Sequence, residues 1–260
     1  MSATERLSGI ARLYGIAPFE RFQKSTVLVV GIGGVGSWAA ESLARSGIGH
    51  LILVDPDDLC VTNTNRQVHA QDGTFGRPKT SAMTERLRAI NPEIRITEYQ
   101  AFLSEKNVAE ILDAAPDAVV DAIDSVRAKC HLLAGCHQRD IPVISSGAAG
   151  GRRDPTQIRV LDLAYSGRDT LLASVRRKLR DDHGFPKGSQ SSESPPFGIE
   201  AIFSNEMAVY PTCEGGVSHE RPADQPAGLR CDAGYGSVTH VTATFGLIAA
   251  GRVLEWLSAK

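Results

Sequence analysis

The residues best able to do chemistry fall in three places: a glycine turn, Gly31-Ile32-Gly33-Gly34-Val35-Gly36; the run Asn63-Thr64-Asn65-Arg66-Gln67; and Lys79. Glycines that end a strand and open a helix leave backbone N–H groups free and let a phosphate or ribose come close. Asp55, about 20 residues beyond the turn, stands where a carboxylate grips ribose hydroxyls. Those features serve NAD and ATP equally. Arg66 and Lys79 break the tie, because hydride transfer needs no cations aimed at the phosphates. A guanidinium binds phosphate oxygens through two parallel hydrogen bonds, and an ammonium adds a point charge. Together they neutralise charge that builds on a phosphate under attack. Asn63 and Gln67 add neutral amides for ribose or phosphate oxygens. A lone basic residue is by default a solvated one, but a pair in register after Asp55 argues for ATP.

Asp124, in Asp121-Ala122-Ile123-Asp124-Ser125, follows an apolar strand and would stand on the edge where ligands bind in an α/β sheet. Facing a triphosphate, its carboxylate is a magnesium holder. It has a second use as a helix N-cap for the segment from Val126, a task that Ser125 is equally suited to take. Asp121 reads as structural.

The elements that must position these groups alternate. Val27–Val30 is a short, wholly apolar run, as in the central strand of a parallel sheet. A helix follows the glycine turn and ends at Gly47; His50–Val54 is the next strand. Helix is expected over Thr80–Ile90, strand over Ile94–Thr97, helix over Glu105–Ala114, strand over Ala118–Asp121, helix over Val126–Arg139 and strand over Pro142–Ser145. This predicts an α/β, Rossmann-like, doubly wound and mainly parallel sheet with helices on both faces. The chain is expected to be a single domain over residues 1–260, with an N-terminal helical segment (1–25) broken near Pro18, a nucleotide-binding core (26–150) and a C-terminal elaboration (151–260). In the last part Ile158–Leu163 reads as a strand, Leu171–Leu179 as a basic helix, and residues 185–197 and 222–228 as mobile loops.

Composition bounds the rest. A chain of 260 residues with 42% hydrophobic and 22% charged residues suits a globular domain with its own core. The formal net charge of -2 gives no global signal for nucleic acid, so any such contact must be local. Five cysteines without a repeated short spacing read as reduced thiols, and Met1–Gly9 has no apolar core for a secretory signal; a cytoplasmic protein is expected. Val238–Leu257 is apolar enough for a window predictor to flag as a membrane segment, but His240, Arg252 and Glu255 interrupt it, and a buried helix is expected.

Taken together, Val29–Gly36, Asp55-Pro56-Asp57-Asp58, Asn63–Gln67, Lys79 and Asp124 resemble the adenylating domain of the ubiquitin-activating-enzyme-like superfamily, which includes ThiF, MoeB and HesA. Ala11–Gly15, Gly33–Glu41, Asp121–Arg127, Asp154–Ile158 and Val241–Gly246 are similar to the bacterial tRNA threonylcarbamoyladenosine dehydratases, from about Arg6 to the C-terminus. The resemblance implies a ligase-type enzyme that activates the threonyl carboxylate of the modified adenosine beside the anticodon with ATP, then closes a ring with net loss of water. It implies ATP contacts at Gly31, Gly33, Gly34, Gly36, Asp55, Asp57, Asn63, Arg66, Gln67 and Lys79, with Arg66, Lys79 and Asp124 catalytic and Mg2+ at Asp124. It leaves room for a monovalent cation (K+ or Na+). It also implies a homodimer in which an arginine crosses the interface; Arg12 is the candidate and Arg6 the runner-up, each readable equally as a solvated residue.

Cys231 matches a cysteine of that family and suits an accessory thiol toward a cysteine desulfurase or other sulfur-acceptor system. For tRNA, Arg176, Arg177 and Lys178, with Arg180, put cations on one short helix and Arg152-Arg153 follow a glycine-rich turn; such clusters serve either as a phosphate-backbone patch or as a solvated face. The main alternative is adenylation of the C-terminal glycine of a ubiquitin-like sulfur carrier. Those enzymes usually carry paired Cys-x-x-Cys motifs for zinc, whereas Cys213 and Cys231 stand singly, so no zinc is expected. Cys130, His131, Cys136 and His137 share a helix and read as core or surface. An NAD-dependent dehydrogenase would leave Arg66, Lys79 and Asp124 without a task, and a catalytically dead binding module is disfavoured because none of these ATP contacts is missing.

Overall fold

The structure, a computed structural model, describes residues 3–187, 195–212, 214–220 and 236–260. Three helices open the chain: α1 (Ala3–Arg6), α2 (Ser8–Tyr14) and α3 (Ile16–Lys24). The expected break at Pro18 lies instead at Gly15, whose φ of 93° is a conformation that favours glycine. Pro18 sits in the first turn of α3, where a missing N–H goes unnoticed.

Among the described residues, one sheet holds seven strands: β1 (Thr26–Val30), β2 (His50–Val54), β3 (Arg95–Tyr99), β4 (Ala118–Asp121), β5 (Val143–Ser146), β6 (Ile158–Asp162) and β7 (Glu200–Ser204). Their order is β3-β2-β1-β4-β5-β7-β6, parallel throughout except for β6, which runs antiparallel to β7. The expected α/β class is what forms, and the strands of the C-terminal part extend the same sheet. A small ribbon, β8 (Tyr210–Pro211) with β9 (Val217–Ser218), stands apart from it.

The strand sequences explain the layering. Val27 and Val29 of β1 join one apolar cluster while Leu28 and Val30 join the other, so a run without polar alternation buries both faces. On the first face lie α4 (Gly36–Arg45), α5 (Lys79–Ile90) and α9 (Thr239–Ser258); on the second lie α6 (Val108–Leu112), α7 (Val126–Gln138) and α8 (Thr170–Asp182). The apolar helix α9 is packed within the protein: Val241, Phe245, Ala249, Val253 and Leu257, spaced four apart, are all buried. Among the described residues no helix is long and apolar enough to cross a membrane.

The helix expected over Glu105–Ala114 is only α6, because Asn107 Oδ1 accepts from Ser104 N and holds the preceding residues in a turn. The loop over 185–197 is pinned at its ends, with Phe185 and Phe197 buried and their rings 5.0 Å apart; residues 188–194 and 222–228 lie outside the described residues.

Candidate active site

Connections reverse direction between β1 and β4, and in such sheets a crevice opens at the carboxyl ends of the strands. A cavity of about 520 Å3 occupies that position, bordered by the glycine turn, Asp55, Asp57, Asn65, Arg66, Gln67, Lys79, Asp124 and the loop 146–150.

The glycine turn is shaped by contact. A Cβ on Gly36 would lie 1.8 Å from the Gly31 carbonyl oxygen, and one on Gly31 would lie 2.7 Å from the Ala122 oxygen. Strand β1, the start of α4 and the loop after β4 are therefore packed backbone to backbone, leaving Gly33 and Gly34 on the cavity wall. Asp55, buried at the end of β2, accepts from Ile32 N at 2.6 Å and Asp57 N at 2.9 Å. Burial pushes its carboxyl above the usual range, against the pull of Lys79 and the two amides. Hydroxyl donors from a ribose would offset that burial.

Lys79 opens α5. Its N–H donates to the Asp57 carbonyl at 3.0 Å and its ammonium to Asp57 Oδ2 at 2.7 Å, with Asp55 Oδ1 at 3.7 Å. The lysine side chain is 9% exposed and that of Asp57 57% exposed, so a buried cation is held by a carboxylate that reaches solvent. Arg66 is half-buried and donates to Thr62 O and Asn65 Oδ1, each at 2.9 Å. Trp38 of α4 donates from Nε1 to the Arg66 carbonyl at 3.0 Å, tying this loop to the glycine-turn helix. Gln67, also buried, leaves Oε1 without a hydrogen-bond partner among the described residues. Gln67 borders the cavity through its other atoms, since this oxygen is enclosed.

Not every expected residue reaches the cavity. Asn63 is 4% exposed and turned inward, its Oδ1 accepting from Cys60 N at 3.0 Å; it shapes the turn, and Asn65 takes the place on the wall. Asp124 is exposed at the cavity edge, but Ser125 makes no side-chain cap for α7. Arg12 is exposed on α2, 3.5 Å from Ser8 Oγ, and Arg6 is exposed on α1; neither borders the cavity of its own chain.

The cations on α8 do not form an open trio. Arg176 is half-buried and donates to Ser166, Lys178 is paired with Asp182, and Arg177 is exposed. Arg180 lies over the Phe197 ring, and Arg152 is 6% exposed. Cys130 and Cys136 are buried in the second apolar layer; Cys213 and Cys231 lie outside the described residues.

Sequence reasoning left Asp121 as structural but missed its buried partner, Lys129. Asp121 and Lys129 are fully buried, 2.7 Å apart, and the ammonium also donates to Ser145 Oγ at 3.2 Å and Ser146 O at 2.9 Å. Asp169 caps α8 through Leu172 N and accepts from Ala148 N, fixing the loop after β5. The Asp-Thr step ahead of an amphipathic helix was a readable cap signal; the lysine pairing had none.

Comparison with known proteins follows the same lines. The model of the ThiF family matches residues 7–260. The tRNA threonylcarbamoyladenosine dehydratase of Escherichia coli is 46% identical over 257 residues, 98% of this chain and 94% of that protein. Its crystal structure in complex with ATP superposes with a TM-score of 0.86 at 43% identity, covering 98% and 95% of the two chains. The molybdopterin-synthase adenylyltransferase of Escherichia coli is 38% identical over 129 residues, about half of each chain (50% and 51%). The chain therefore belongs to the ThiF family, and within it to the tRNA threonylcarbamoyladenosine dehydratases.

Proposed function

We infer that this protein is an ATP-dependent tRNA threonylcarbamoyladenosine dehydratase, working in the cytoplasm as a homodimer with the whole chain as one adenylating unit. The observation that carries the reading is Lys79, a nearly buried cation on the cavity wall held by the exposed carboxylate of Asp57. Asp57 reaches solvent and can turn away, so a phosphate can take its place and keep the buried ammonium paired. Asp55 and Gln67 take ribose hydroxyls, the glycine turn receives the phosphates, and Arg66 with Lys79 stabilises charge at the α-phosphate. Magnesium held at Asp124 would supply further neutralisation of the triphosphate.

The threonyl carboxylate oxygen attacks the α-phosphorus and pyrophosphate leaves, giving an acyl-adenylate. The side chain's own nitrogen or oxygen then attacks the activated carbonyl and AMP leaves with the carboxylate oxygen, so the nucleoside loses one water overall. Holding both reacting groups in one molecule favours the second step. Arg12 joins the site from the partner subunit in this reading, which is supported by its exposure away from its own cavity. Adenylation of a ubiquitin-like carrier has less support, because similarity to the molybdopterin-synthase adenylyltransferase covers only 50% of this chain.

Thermal unfolding with ligands tests the nucleotide half of this reading. ATP with magnesium should raise the midpoint by several degrees and NAD should leave it unmoved; a preference for NAD would end the adenylation reading.

A further inference from the structure

The cavity mouth carries a side chain that the nucleotide does not need. Phe102 lies on the loop between β3 and α6, borders the cavity and is 75% exposed. Its neighbour Leu103 is packed into the second apolar layer, so one residue anchors the loop while the next is displayed. The display is braced, with Asn107 Nδ2 donating to the Phe102 carbonyl at 2.9 Å. A single exposed ring means little alone; its setting gives it meaning.

Lys106, on the same loop, is exposed. Arg127, second residue of α7, has a side chain 76% exposed and stands 3.8 Å from Glu105, itself 72% exposed. A pair so open leaves its guanidinium exchangeable for a phosphate. Asp124 and Ser125, which lead into α7, border the cavity. Phe102 thus borders the candidate active site, with two exposed cations beside it: Lys106 four residues along the same loop, and Arg127 against Glu105 of that loop. The adenine of a bound nucleotide has other walls, since Val54 and Leu103 border the same cavity and are buried.

We propose that Phe102, Lys106 and Arg127 receive a single-stranded RNA segment, with an unstacked base on the ring and its neighbouring phosphates on the two cations. Bases splayed from a loop are held in this way by aromatic side chains flanked with positive charge. The cations favour a polyanion over an apolar protein surface. The proposal rests on the tRNA reading above and adds where the anticodon loop docks.

The test is binding of an anticodon stem-loop carrying threonylcarbamoyladenosine, at two salt concentrations, with ATP affinity and sedimentation measured in parallel. Phe102→Ala should weaken stem-loop binding about tenfold, and Phe102→Trp should keep it within about twofold. Arg127→Ala should weaken it a few-fold and make the logarithmic salt dependence shallower by about 0.7. ATP affinity and oligomeric state should not change. Undiminished stem-loop affinity in Phe102→Ala, a loss confined to ATP, or altered self-association would each overturn the proposal, the last two by showing an adenine wall or a subunit contact. A wild-type protein that binds no stem-loop would overturn the tRNA reading and the proposal with it.

Discussion

Lys79, at the start of α5, and Lys129, in the first turn of α7, each stand 2.7 Å from an aspartate at the carboxyl edge of the sheet. Lys129 and Asp121 are both 0% exposed, and the ammonium meets three acceptors, which matches its three donors. No other group can enter without breaking that set. Lys79 has one close partner, Asp57, on the solvent side, and a second aspartate at the longer distance of 3.7 Å. The chemical pair is the same. Saturation and burial make the first a fastening between β4, β5 and α7, while an exchangeable partner makes the second available to a ligand.

The difference is open to attack from the fastened side first. Lys129→Met leaves Asp121 charged and buried, and should cost about 3–5 kcal/mol in urea denaturation. Adding Asp121→Asn should recover part of that loss. A Lys129→Met protein as stable as wild type would mean that the two pairs do not differ as described.

A smaller effect probes the surroundings of Lys79. His69 is 1% exposed, and neither ring nitrogen has a hydrogen-bond partner among the described residues. Burial, then Lys79 and Arg86, push its pKa down from 6.5 to about 4. Between those values the unfolded chain binds a proton that the folded chain refuses, so stability falls as pH drops through that window. At 1.36 kcal/mol per pH unit of separation, the loss is on the order of 3 kcal/mol by the acid end. His69→Gln should remove that part of the pH dependence, measured as the difference from wild type in urea midpoints across the window. A variant that loses stability as steeply as wild type would contradict it.

Sequence alone reads best where a single force decides. Strands β2 and β4 lie where their unbroken apolar runs put them, at His50–Val54 and Ala118–Asp121, because both faces are buried. Strand β7 was missed: it follows a Pro- and Ser-rich stretch and pairs only with β5 and β6, which sequence proximity does not reveal. Gly31, Gly33, Gly34, Asp55, Arg66, Gln67, Lys79 and Asp124 do converge on one cavity, while Gly36, expected among them, packs against the Gly31 backbone instead. Asn63 and Asn65 are two apart in a tight turn, and composition cannot say which faces in. The cations of α8 look like a stripe in sequence, yet Arg176 and Lys178 find partners at Ser166 and Asp182 that only folding or helical geometry brings near. Lys129 was illegible because a lysine in a helix reads as solvated until its acceptors, eight to seventeen residues away, are seen around it.

The most direct measurement incubates purified protein with tRNA carrying threonylcarbamoyladenosine, ATP and magnesium, followed by mass analysis of the nucleosides and assay of ATP consumed. Wild type should yield a nucleoside lighter by one water, with ATP consumed in step, and folded Lys79→Ala should yield at most about one hundredth of that rate. Product formed without ATP, or formed equally well by Lys79→Ala, would contradict the exchangeable-lysine account.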